Sequence, residues 1–258
     1  MATGQDPRFF YDTIADRFEG LDHPHDVRTM LEIVFDELLD PTALHGRRVL
    51  DAGCGYGAFS IAASRRGAHV VSCDIAGNLV VRASTTAPSH GVVGDACALG
   101  FRDGAFETVI SSEMVEHVER PVDAVKELAR VLEPGGLLVI TTPNRPWQWV
   151  VRLASRLRLR PFFGLENFLW WSELDTACAD SGLQVLKHVG FHAWPFHLGL
   201  SGLSRAVDRR FGAGPRGAAH DQSGRARPEA VVTRHLDQAV PTLKIRASRR
   251  RPSVACRG

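Results

Sequence analysis

Apolar positions along the chain keep two rhythms. Residues 8–20 and 26–40 show helical spacing, with Leu31, Val34, Phe35 and Leu38 on one stripe and Pro41 closing the second segment. From residue 47 onward, short apolar runs alternate with helical stretches. RRVLDAGCGYG reads as a buried strand entering a tight turn, and FSIAASRRG as a helix closed by Gly67. HVVSCDI is the second predicted strand, NLVVRASTTA a helix, GVVGDA a third strand and FETVISSE a fourth. PVDAVKELARVL is a helix with Pro121 in its first turn. EPGG is read as a turn into the fifth strand, LLVITTP. Residues 147–160 and SELDTACADSG look helical, and LQVLKHVGF is a further strand. Strands alternating with helices argue for a mainly parallel sheet covered on both faces.

The expected architecture is therefore α/β, a doubly wound Rossmann-like, mainly parallel seven-stranded sheet. Residues 1–44 form an N-terminal helical cap, 45–204 the main domain and 205–258 a basic tail. The tail is rich in Arg, Gly, Ala and Pro, lacks apolar periodicity and is read as largely disordered.

Composition adds little beyond this, since 258 residues with 44% hydrophobic and 23% charged positions are ordinary for a globular domain. Charge changes the picture more. Residues 1–200 hold 18 bases and 25 acids, a balance of −7, and residues 201–258 hold 13 bases and 4 acids, a balance of +9. The five cysteines form no C-x-x-C pair and read as reduced thiols. The sequence shows no secretory signal and no apolar run of about 20 residues, so a cytoplasmic location is expected.

The most informative segment is Asp51-Ala-Gly-Cys-Gly-Tyr-Gly. Gly53, Gly55 and Gly57 follow a buried strand and let a ligand approach the backbone at a helix N-terminus. Gly53, Gly55 and Ala58 also satisfy the dinucleotide pattern G-x-G-x-x-G/A, and Asp74 lies 21 residues after Gly53, where either nucleotide class uses an acid on ribose hydroxyls. Asp51 weighs between them. A diphosphate beside it would put like charges about 4 Å apart, at a cost of roughly 4 kcal/mol for an effective dielectric near ~20. The ammonium and sulfonium of S-adenosylmethionine would be attracted instead. A nicotinamide or flavin enzyme, or a purely structural glycine turn, are the competing readings. Asp95, 21 residues past Asp74, is placed to accept the adenine amino group, or to serve as a turn or N-cap residue.

Over residues 45–143 the chain resembles class I S-adenosylmethionine-dependent methyltransferases, and over about 10–190 it resembles the UbiG-type ubiquinone-biosynthesis O-methyltransferases. The segments that carry this are VLDAGCGYG, SCDIA, ISSEMVEHVERP, LEPGGLLVITTPNR and HPHDVR. The resemblance implies cofactor contacts at Gly53 and Asp74, at Arg28 toward the cofactor carboxylate, and at Ser112. It also implies that Glu113, Glu116 and His117, the E-x-x-E-H motif, are associated with a divalent cation such as Mg²⁺. The family's substrate-covering segment differs here, reading RPFFGLENFLWW.

Methyl transfer needs an aligned nucleophile and a place for its proton. His117 is the candidate base, with Glu113 and Glu116 orienting it or sharing a cation. Phe10 and Tyr11 are candidates for a lid or for a staple onto the domain. The acceptor is expected to be a small hydroxylated, lipophilic or phenolic molecule; carbon or nitrogen acceptors and a non-catalytic cofactor-binding protein are the alternatives. Trp170, Trp171, Phe191, Trp194 and Phe196 are candidates for lining its pocket or packing the core. Residues 147–160 combine Trp147, Trp149, Leu153 and Leu157 with four arginines, which suits either a peripheral contact with an anionic membrane or an ordinary surface helix. No nucleic-acid partner is expected.

Overall fold

The computed structural model describes residues 24–40, 44–143, 145, 148–157, 165–191 and 242–249. Seven strands make one sheet: β1 Arg48–Ala52, β2 His69–Asp74, β3 Ser89–Val93, β4 Phe106–Ser112, β5 Leu132–Pro143, β6 Leu183–Phe191 and β7 Thr242–Arg249. Their order is β3-β2-β1-β4-β5-β7-β6. The first five pair in parallel, while β7 is antiparallel to both β5 and β6. The contiguous parallel array thus has five strands, not seven, and the seven-stranded sheet is completed by the antiparallel β7 and, beyond it, the edge strand β6.

The central strands are buried on both faces, so they read as continuous apolar runs. Val49, Leu50 and Ala52 of β1 and Val109 and Ile110 of β4 are all buried. On one face, Leu50, Val109, Leu138 and Ile140 pack with Val125 and Leu128 of α4 (Pro121–Val131) and Leu174 of α6 (Trp171–Asp180). On the other, Val49, Ile110 and Val139 meet Phe59 of α2 (Ala58–Arg65) and Val34, Phe35 and Leu38. Those last residues follow α1 (Pro24–Glu32) in a wider π-type helical turn, Ile33–Leu38. Helix α3 (Gly77–Thr86) covers β2 and β3, and α5 spans Gln148–Arg156.

Of the predicted N-terminal cap, the second helix is seen in these two parts. The first, 8–20, lies outside the described residues, as do Phe10, Tyr11, Pro41, Trp147, Arg158, Arg160, Trp194 and Phe196.

Two expectations are corrected. EPGG does not precede the fifth strand but lies inside β5, where Phe106 pairs with Leu132 and Thr108 with Leu137, so extra residues bulge between them. Residues 242–249 are not disordered tail. They form β7, and their Leu-x-Ile-x-Ala alternation is a short period-two signal inside an Arg-rich segment.

Strand order reverses between β1 and β4, and ligands of doubly wound sheets bind beyond the carboxyl ends of the strands at such a point. Ala52, Asp74 and Ser112 end their strands there.

Candidate functional site

The turn after β1 is built from the backbone up. Gly53 and Cys54 N–H groups both donate to the Cys73 carbonyl, at 2.8 and 3.0 Å, tying the turn to the end of β2. Gly53 has φ +76°, and a β-carbon there would run into the side chain of Met114 from the loop after β4. Gly57 has φ +91° and begins α2 against the backbone of Ala83. Gly55 N–H donates to Asp74 Oδ2 at 3.0 Å, and Ala76 N–H donates to Asp74 Oδ1 at 3.0 Å. Asp74 thus holds the turn with two backbone bonds while staying half-buried, and a carboxylate has further lone pairs for a ligand hydroxyl.

Asp51 is 1% exposed and accepts a 2.6 Å hydrogen bond from Ser60 of α2. Burial raises its pKa to about 7, against the opposing hydrogen bond from Ser60, and the nearby Asp74 charge adds to the rise. Asp95 caps its own turn, accepting from Cys97 N–H at 2.8 Å. The three acids face one region: the Cys73 thiol is pushed up to about 12, first by burial and then by Asp74, Asp51 and Asp95. A glycine-lined crevice with this charge fits a cationic nucleoside and opposes a diphosphate. Arg28 is exposed on α1.

At the end of β4 the half-buried Ser112 places its hydroxyl 2.9 Å from that of Thr141. Glu113 follows with φ +51°, the one non-glycine residue in the left-handed region among the described residues. Its N–H reaches the Thr141 carbonyl at 2.9 Å, and Thr141 Oγ1 donates to Glu113 Oε1 at 2.8 Å. The chain then makes a 3₁₀ turn, Val115–His117. Glu116 is 1% exposed and accepts from Thr142 Oγ1 at 3.0 Å. Burial first, then the neighbouring Glu113 and Glu166, raises its pKa well above the carboxylate range. His117 Nδ1 lies 2.8 Å from the Leu165 carbonyl, and its Nε2 lies 3.8 Å from Glu116 Oε1. A carbonyl only accepts, so Nδ1 carries the hydrogen, and in the neutral ring Nε2 bears the lone pair.

The expected cation site does not form. Among the described residues no three His, Cys, Asp or Glu side chains converge as metal ligands. Successive residues of a 3₁₀ turn point about 120° apart. Glu113 is turned to Thr141, Glu116 to Thr142 and His117 to Leu165.

Thr141, Thr142 and Ser60 are not among the residues that the sequence singles out for the site, whereas residues 165–167 belong to the RPFFGLENFLWW segment. Asn167 N–H donates to the Glu116 carbonyl at 2.7 Å, so this segment is clipped to the 3₁₀ turn. The two threonines end an apolar strand at its carboxyl end, which is a weak but usable signal.

Residues 50–140 match the family model described as a methyltransferase domain. Fold, crevice and match agree on the class, and the chain belongs to the S-adenosylmethionine-dependent methyltransferases. It is similar to proteins named ubiquinone biosynthesis O-methyltransferase. One, from Roseobacter denitrificans, is 36% identical over 177 residues, covering 64% of this chain and 71% of that one. Those from Xanthomonas euvesicatoria pv. vesicatoria and Rhizobium etli are 40% and 33% identical, covering 55% and 58% of this chain. The chain spans a little under two thirds of these two relatives, 64% and 65% of their lengths. The fold is shared with magnesium protoporphyrin IX methyltransferase from Synechocystis PCC 6803, solved with bound SAH, at a TM-score of 0.63 and 18% identity over 94% of this chain and 97% of that one. An S-adenosylmethionine-dependent methyltransferase from Mesorhizobium loti gives 0.61 and 18% over 86% and 100%.

Proposed function

We propose that the chain transfers a methyl group from S-adenosylmethionine to a hydroxyl of a small phenolic or lipophilic acceptor. The observation that carries this is that Asp51, Asp74 and Asp95 all lie close enough to act on the Cys73 thiol, beside the glycine turn at the β1/β4 reversal. Bound there, the cofactor supplies a methyl group already activated by sulfonium. Gly53, Gly55 and Gly57 leave room at the turn, and Asp74 accepts ribose hydroxyls. Asp95 takes the adenine amino group, and Arg28 and Ser112 complete the cofactor contacts. His117, in the tautomer set by Leu165, accepts the acceptor's proton at Nε2. Glu116 stays buried beneath it, where burial disfavours its charged form. The relatives' printed names favour oxygen over nitrogen or carbon as the acceptor atom.

Calorimetry with S-adenosylmethionine on wild type and Asp74→Ala tests the crevice, and labelled-methyl transfer to catechols, amines and carbon acceptors tests the chemistry. Millimolar binding lost in Asp74→Ala, with label on a phenolic oxygen, is expected. No binding to wild type at millimolar cofactor overturns the reading. Binding with no transfer to any acceptor favours a non-catalytic cofactor-binding protein.

A peripheral membrane contact has its own support. Trp149, Leu153 and Leu157 are exposed at four-residue spacing on and just past α5, with Arg152 and Arg156 exposed beside them. None of the described helices is long and apolar enough to cross a membrane. Flotation with phosphatidylglycerol vesicles, lost in Arg152→Glu/Arg156→Glu, is the expected result, and equal flotation with phosphatidylcholine overturns the electrostatic part.

A further inference from the structure

Asp51 is the inner end of a file of hydroxyls. Ser60 Oγ is 2.6 Å from Asp51 Oδ2 and 2.7 Å from Ser72 Oγ, and Ser72 Oγ is 2.7 Å from Ser89 Oγ. Ser60 and Ser72 are fully buried, while Ser89, at the start of β3, is half-buried. The file therefore runs from the crevice, through α2 and β2, to the edge strand of the sheet. Ser60 donates to Asp51 and Ser72 donates to Ser89, so these two hydrogens point away from the Ser60–Ser72 contact, and because each hydroxyl turns about its C–O bond the file can align in either direction. Pointing toward Asp51 they serve a carboxylate, and pointing toward Ser89 they serve a carboxylic acid.

The surroundings of Asp51 disfavour its charge while the crevice holds no cation. Asp74 and the Cys73 thiol face it from β2, the Cys54 thiol from its own turn and Ser60 from α2, while β4 offers Ile110 in register. Both thiols are pushed upward and stay neutral, so among the described residues burial and Asp74 oppose the charge on Asp51, and the Ser60 hydroxyl and backbone N–H favour it.

We infer that Ser60, Ser72 and Ser89 are positioning residues through which Asp51 releases a proton to solvent as the cationic cofactor binds. The inference rests on the crevice being the cofactor site. In the step, the Asp51 O–H bond breaks and its proton passes to Ser60 Oγ. Ser60 passes its own hydrogen to Ser72, Ser72 to Ser89, and Ser89 to water. One proton leaves the protein, one positive ligand enters, and the hydroxyl file ends reversed, now donating to the carboxylate. A pKa of about 7 for Asp51 places the effect in the neutral range. The charged form is the binding form, so cofactor affinity falls as pH drops below 7, by up to about tenfold per unit.

The test is calorimetric titration of the full chain with S-adenosylmethionine in buffers of different ionisation enthalpy, whose slope counts protons exchanged. For a group titrating near pH 7, about half a proton is released at pH 7, nearly one at pH 6 and almost none at pH 8.5. Asp51→Asn abolishes the release. Ser60→Ala moves its midpoint upward, because a hydrogen bond that favours the carboxylate is gone, and Ser60→Thr restores it. A merely structural serine changes thermal stability without moving the proton count. Binding by wild type with no proton release at pH 6, or the same release from Asp51→Asn, overturns the relay while leaving the cofactor assignment standing. No binding at all overturns both.

Discussion

Glu113 holds a backbone conformation that costs a non-glycine residue about 1 kcal/mol or more, and Thr141 alone supplies three of its hydrogen bonds. Strain of this kind at the end of β4 is what a site residue shows, and it sets the path by which Glu116 and His117 leave the strand. His117→Ala is expected to lower kcat by about 10²–10⁴-fold while leaving cofactor affinity unchanged in calorimetry; an unchanged kcat would assign His117 to the Leu165 clasp alone. Gly53→Ala meets Met114 as well as an unfavourable φ, so a loss of cofactor binding and of stability is expected together, read by calorimetry and thermal unfolding. Asp51 gives a pH signature. Its pKa rises from 3.8 to about 7 on folding, so its contribution to stability is greatest below 3.8 and is lost as pH climbs through 7. Asp51→Asn should therefore gain in melting temperature relative to wild type between pH 5 and 8, in the absence of cofactor.

At the scale of elements, ion pairs lock neighbours whose contacts the apolar pattern leaves unspecified. Glu107 of β4 accepts from the Arg48 N–H of β1 at 2.9 Å and pairs with the Arg47 and Arg48 side chains. The backbone N–H donation chiefly, with the two arginines, holds its pKa at about 2. Its stabilisation is present above the ordinary value of 4.5 and is lost as pH falls through 2. Glu107→Gln is expected to cost on the order of 1–2 kcal/mol at pH 7 and progressively less as pH falls from about 4.5 toward 2, in denaturant titrations. On α4, Arg130 bonds the carbonyls of Leu99 and Phe101 and the carboxylates of Asp103 and Glu127, while Glu127 accepts from Leu99 N–H. This clamp fixes the loop that carries Asp95, so the helix packs the core with one face and shapes the crevice rim with the other.

For the whole molecule, β7 is decisive. It forms seven register pairs with β5 and eight with β6, and among the described residues no other strand joins those two. Truncation after residue 204 leaves β6 without its partner and opens the edge of β5. A fall in melting temperature of about 10 °C or more is expected, or failure to fold; a truncated chain as stable as the full one would remove β7 from the native sheet. The −7 and +9 parts of the chain therefore do not separate into folded domain and free tail, because the basic part donates a strand to the acidic one.

The local code determined most of the architecture. Continuous apolar runs place β1, β2 and β4, LQVLKHVGF coincides with β6 residue for residue, and Gly53, Gly55 and Gly57 mark the tight turn after β1, because burial on both faces and left-handed turns leave strong local signatures. Tertiary structure alone decided the rest. Whether Glu113, Glu116 and His117 converge depends on the twist of one short turn and on Thr141, Thr142 and Leu165, which lie 25 or more residues away. The Ser60–Ser72–Ser89 file exists only because α2, β2 and β3 pack side by side. β7 is a strand because it pairs between β5 and β6, and its brief Leu-x-Ile-x-Ala alternation inside an Arg-rich segment is too short to specify that pairing by itself.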